Sequence, residues 1–169
     1  MQTSESLANV TQTQARLGFS IQDKKLCFKQ VGSQKSNLGT GSVIWDAGKV
    51  LAKYLERQRV FDRTASKYIK VIELGSGCGI AGISALHLIA NSRNSDSDSP
   101  FRLVLTDIPK MLPMLEQNLR DNCPSSFPYQ INPDIIDDSK ALLEVLPLSW
   151  FVWLIYSWKY CFIIFGCYL

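Results

Sequence analysis

Four glycines and two acids carry the chemistry legible in this chain. The run VIELGSGCGIAG, Val71–Gly82, ends an apolar strand in Glu73–Leu74 and then sets Gly75, Gly77, Gly79 and Gly82 within eight residues. So few side chains let backbone come very close to a ligand or a helix. Further on, RLVLTD ends a second apolar run in Asp107. The spacing Gly77-x-Gly79-x-x-Gly82 matches the dinucleotide fingerprint, which alone is a weak signal. The overlapping pattern E-L-G-x-G-x-G, Glu73 to Gly79, places an acid directly before the loop. Facing a pyrophosphate, that acid would meet like charge; facing an ammonium group, it meets opposite charge.

S-adenosylmethionine has an amino group, a sulfonium and no phosphate, so it answers the second pattern. Asp107 suits the two ribose hydroxyls, a role shared with NAD-binding folds that does not discriminate between them. The plainer reading has the glycines permitting only tight strand–helix packing. Two flanking acids are more than packing needs.

These residues require a scaffold. At 169 residues the chain supports one domain with a real core. A hydrophobic content of 46%, a charged content of 20% and a net charge of +3 are ordinary for a globular protein and argue against a nucleic-acid partner. The five cysteines form no C-x-x-C and read as reduced intracellular thiols. With one histidine, His87, neither a zinc site nor a Ser-His-Asp triad is supported, and no metal is expected.

Along the chain, residues 1–24 read as a flexible leader and 25–31, KLCFKQV, as a strand. In DAGKVLAKYLERQ, Asp46 is placed to cap a helix, with Ala47, Val50, Leu51, Tyr54 and Leu55 as one apolar face. Residues 69–74 form a strand, and Ile80–Ala90 a helix with Ile83, Leu86, Ile89 and Ala90 inward. A polar loop covers 91–100, and 102–107 is the next strand. A helix follows with Met111, Leu112, Leu115 and Leu119 inward; Pro109 suits its first turn, whereas Pro113 would disturb a helix begun much earlier. A short acidic helix near 134–143 and a third strand at EVLPLSW, closed by Trp150, complete the series. Alternating helices and strands make a parallel sheet with helices on both faces, binding ligands at the strands' carboxyl ends.

The blocks GSVIWDAGKVLAKYLE, VIELGSGCGIAG, LVLTD and LPLSW, in that order over residues 25–150, resemble methyltransferase family 16, the seven-strand protein-lysine methyltransferases. The resemblance is nearest to the branch that includes the lysine methyltransferase of the valosin-containing protein. It implies an α/β class I (Rossmann-like) methyltransferase fold, with only the N-terminal part of the doubly wound parallel sheet present. It implies S-adenosylmethionine as cofactor and a lysine of a protein, such as an ATPase, chaperone or translation factor, as methyl acceptor. It implies that Trp45, Glu73, Gly75, Ser76 and Gly77 line the methionine end, Asp107 with Ile108 holds the ribose, and Trp150 flanks the adenine. No catalytic residue is assigned, because methyl transfer to a neutral lysine needs alignment rather than a strong base. The cytoplasm is the expected location, with the nucleus as alternative. A non-catalytic cofactor-binding or membrane-attached module is the competing reading, and a nicotinamide-dependent oxidoreductase a third.

After Trp150 the family continues with an acidic loop and an acidic-x-x-tyrosine motif, whereas this chain runs FVWLIYSWKYCFIIFGCYL without an Asp or Glu. Residues 151–169 therefore read, in order, as an aberrant tail on a truncated product, as a membrane anchor over 148–169, or as a strand or helix replacing the missing half-sheet. Without such a replacement, Lys70–Leu74 would be an open apolar edge, with poor solubility and little or no catalysis expected.

Overall fold

The fold is that of a computed structural model and is described for residues 16–32, 38–62, 69–92, 101–124, 129–131, 141–147 and 161–165. Strands β1 (Arg16–Ile21) and β2 (Lys24–Lys29) form an antiparallel hairpin. Helix α1 (Asp46–Arg57) follows a 3-10 turn at Gly39–Ser42. Then come β3 (Ile69–Leu74), α2 (Ile80–Ser92), β4 (Phe101–Asp107), α3 (Leu112–Asp121), β5 (Tyr129–Ile131), β6 (Ala141–Pro147) and β7 (Cys161–Phe165). The last five strands make one parallel sheet in the order β5-β6-β4-β3-β7. This is the expected α/β architecture, and the strand order reverses at β3.

The two crossovers β3–α2–β4 and β4–α3–β6 advance in one direction, so right-handed connections put both helices on one face. They lie side by side there, with His87 Nε2 bonded to Asn122 O at 2.7 Å. Helices were expected on both faces; among the described residues the two crossover helices lie on one. α2 is buried nearly all round because α1 and the hairpin cover its outer side; Ile83, Leu86 and Ile89 are fully enclosed, while Ala90 is only half-buried.

Several expectations are corrected. Residues 16–21, expected within the flexible leader, form β1, and Ile21 is fully buried, while 1–15 lie outside the described residues. Asp46 is not a cap. Trp45 holds the N-cap position, with no side-chain cap bond, and Asp46 pairs with Lys49 at 2.8 Å inside the first turn. The stripe Ala47–Val50–Tyr54 faces outward, with Val50 68% and Tyr54 57% exposed. Ala52 and, as expected, Leu55 are buried, and half-buried Gly48 lies against Ile80 so closely that a Cβ would meet Ile80 Cγ2 at 2.8 Å. Periodicity weights large side chains, but close helix packing selects small ones.

α3 resolves the proline conflict by beginning at Leu112, so that Pro113 falls in the first turn and Pro109 in a preceding 3-10 turn. Residues 141–143, expected to be helical, belong to β6, and 134–140 lie outside the described residues. β6 ends at Pro147, so Trp150 also lies outside them. Arg102 and Glu144 join β4 to β6 through two hydrogen bonds of 2.5 and 3.0 Å. In the tail, β7 pairs in parallel with β3 from Lys70↔Cys161 to Leu74↔Phe165. The edge of β3 expected to be open is therefore covered by Cys161–Phe165. Among the described residues no helix is long and apolar enough to cross a membrane.

Candidate functional site

β3 and β4 end side by side, with Leu74 opposite Thr106. Past that pair the ladder is continued by the loop itself. Ser76 N–H donates to Thr106 O at 2.8 Å, and Thr106 N–H donates to Ser76 Oγ at 3.2 Å. Thr106 Oγ1 donates to Glu73 O at 2.8 Å. The chain then turns through glycines with positive φ, and Gly77 shows why no other residue serves. Its φ is 55°, and a Cβ there would stand 3.0 Å from Gly41 O. Gly79 O accepts the Ile83 N–H at 2.9 Å and starts the α2 ladder.

The two acids are used differently. Glu73 is 2% exposed, and its Oε2 accepts the Gly82 N–H at 3.1 Å. Burial pushes its pKa up to about 8, and the charge of Asp107 adds to this, against the opposing hydrogen bonds from Ser76 and Gly82. Gly82 has no room for a Cβ, which would collide with Glu73 Oε2 and Leu105 Cδ2. The last glycine thus serves strand–helix packing rather than a ligand. Asp107 is fully buried, with Oδ2 accepting the Gly77 N–H at 2.6 Å and Oδ1 the Ile108 N–H at 2.7 Å.

A cleft of about 240 Å³ opens at the carboxyl end of β3, where the strand order reverses. One wall is the loop Gly75–Cys78. The other is Trp45, Ala47, Gly48 and Leu51 of α1, reached from Gly41, Val43 and Ile44. Trp45 is held by its indole N–H, which donates to Thr40 O at 3.1 Å. Glu73 brings the one carboxyl group among the residues lining this apolar cleft. Cys78, also in the lining, has its thiol pushed up to about 12 by burial with help from the Asp107 charge, so it stays protonated and inert.

Of the residues singled out in the sequence, Trp45, Glu73, Gly75, Ser76 and Gly77 converge on the cleft. Asp107 and Ile108 do not line it; Asp107 sits behind the loop, tied to Gly77, and Ile108 is 37% exposed. An apolar trough with one carboxyl group fits an alkyl chain ending in an ammonium group. Among the described residues no cluster could hold a metal ion.

A family model for lysine methyltransferases matches residues 21–137, well over half the chain, including α1, the glycine loop and both strand-end acids. The chain belongs to the lysine methyltransferase family. It is 33% identical over 107 residues to protein N-lysine methyltransferase METTL21A of Xenopus tropicalis, covering 63% of this chain and 43% of that protein. It is 34% identical over 96 residues to EEF1A lysine methyltransferase 3 of the same organism, covering 57% and 36% respectively. Against METTL21A of Mus musculus it is 30% identical over 132 residues, covering 69% and 59%. The match thus spans less than half the length of the first two relatives.

Sequence reasoning missed Thr106, and it missed Asn118 and Asn122. Asn118 Oδ1 accepts the Lys29 N–H at 2.7 Å, while Nδ2 donates to Lys29 O at 2.9 Å and to Cys78 O at 3.0 Å. One turn later, Asn122 Oδ1 accepts the Cys27 N–H at 2.8 Å, and Nδ2 donates to Cys27 O at 3.0 Å. The two amides act as an extra strand edge along β2 and tie the hairpin to the glycine loop. Their i, i+4 spacing in LEQNLRDN was the available signal.

Proposed function

We propose that this chain binds S-adenosylmethionine in the α1–β3 cleft and methylates a lysine of a protein. The observation that carries this is the cleft itself: apolar walls, one buried carboxyl, and glycines that admit a ligand up to the backbone. Glu73 would face the ammonium of the methionine end, with Gly75, Ser76 and Gly77 flanking it and Trp45 covering it. Asp107 would hold the ribose, its carboxyl already fixed at the end of β4 by the Gly77 and Ile108 N–H groups. Trp150 would flank the adenine, as the resemblance implies.

The bound cofactor supplies an electrophilic methyl group on a sulfonium. The protein's part is to orient that group, exclude water and receive the lysine neutral, which an apolar entrance favours by lowering the amine pKa. The substrate is a protein; EEF1A, named for one relative, is the first to try. A cytoplasmic location goes with that choice.

Calorimetric titration of the chain with S-adenosylhomocysteine tests the binding step. Heat of binding that falls at least tenfold in affinity in Asp107→Asn is expected, since one charged acceptor is worth about 1.5–3 kcal/mol. Absence of heat on folded protein would overturn the reading. Binding without methyl transfer to EEF1A or to lysate proteins would favour the non-catalytic module instead.

A further inference from the structure

We propose that Thr106 is a positioning residue of the methyl-donor cleft, its hydroxyl and backbone holding the loop from Glu73 to Gly77 in the shape that receives the ligand. This rests on the cofactor reading above and extends it to a residue that does not line the cleft. Thr106 is 7% exposed, at the last register pair of β3 and β4. A valine would fill the same volume and suit a strand equally well, so the hydroxyl needs its own explanation. It is spent on Glu73 O at 2.8 Å, beside the longer approach of Ser76 Oγ at 3.4 Å. The backbone of Thr106 exchanges two further bonds with Ser76, at 2.8 and 3.2 Å. The next residue, Asp107, then takes the Gly77 N–H at 2.6 Å. Consecutive β4 residues therefore fasten the loop at successive points, one by hydroxyl and one by carboxylate. Losing the first would let the peptide between Glu73 and Gly75 move while the sheet behind it stays intact.

The test uses the full chain and S-adenosylhomocysteine as probe, with folding of every variant checked by circular dichroism. Thr106→Val is expected to weaken binding about tenfold, and Thr106→Ser, which keeps the hydroxyl, to stay within about twofold of the parent. Ile21→Val, a core truncation in β1 of similar stability cost, is expected to leave affinity unchanged. Amide exchange at Ser76 and Gly77 is expected to quicken in Thr106→Val and not in Ile21→Val. Parent-like affinity in Thr106→Val, or an equal loss in Ile21→Val, would overturn the assignment. If the parent itself gives no heat, the cofactor reading fails separately. Exchange then decides alone, and unchanged protection of Ser76 and Gly77 in Thr106→Val would reject the positioning role.

Discussion

Burial removes from Glu73 the water that would solvate a carboxylate, and the consequence reaches beyond the cleft. Its folded pKa of about 8 lies above the ordinary 4.5 of an unfolded chain. Between those values the folded state binds a proton that the unfolded state has released, so this residue's contribution to stability falls as pH rises from about 4.5 to 8. His87 acts with the opposite sign. Burial holds its pKa below 6.5, and its contribution is lost as pH falls below that value. Glu73→Gln keeps an acceptor for the Gly82 N–H and removes the titration. Denaturant midpoints measured at pH 5 and pH 8 should show the parent losing stability relative to Glu73→Gln at the higher pH. Parallel profiles would mean that the carboxyl is already ionised in the folded protein.

Among the elements, the hairpin and α1 are held to the rest by few and specific contacts. Asn118→Ala strips partners from Lys29 N–H, Lys29 O and Cys78 O in one step. A loss of about 2–3 kcal/mol is expected, read from chemical denaturation, together with faster amide exchange at Lys29. Gly48→Val would drive side-chain carbons into Ile80 and push α1 away from α2. An overpacking cost of about 1–3 kcal/mol is expected, with cofactor affinity falling as well, because Trp45, Ala47 and Leu51 ride on the same helix. Val50→Ser, on the exposed side of α1, should change neither quantity, since Val50 is 68% exposed.

For the whole molecule, β7 decides which strand forms the edge of the sheet. It pairs with β3 over Lys70–Leu74, and among the described residues the sheet ends at β7, so the free edge passes outward from β3 to Cys161–Phe165. Deleting residues 148–169 would bare the edge of β3, an apolar strand carrying one lysine and one acid. The shortened chain is expected to elute as soluble aggregate, with light scattering as the measurement. A monodisperse shortened chain would show that β7 is dispensable for closing the sheet.

Sequence alone determined the α/β alternation, the place of the glycine loop, and, among the cleft's lining, Trp45, Glu73, Gly75, Ser76 and Gly77. These are local: strand, turn and helix start follow one another within a few residues, and the loop's positive-φ positions Gly75, Gly77 and Gly79 favour glycine. The helix faces were read less well. The inward side of α1 is chosen by Gly48 meeting Ile80, a long-range contact of small residues that leaves no trace in hydrophobic periodicity. The strand at Arg16–Ile21 was settled by its hairpin partner β2, and the pairing of β7 with β3 by a partner far along the chain. Asp107 was found by its place at a strand end, but only the packed structure shows its carboxyl turned to Gly77, because side-chain direction depends on which backbone groups the fold leaves unpaired nearby.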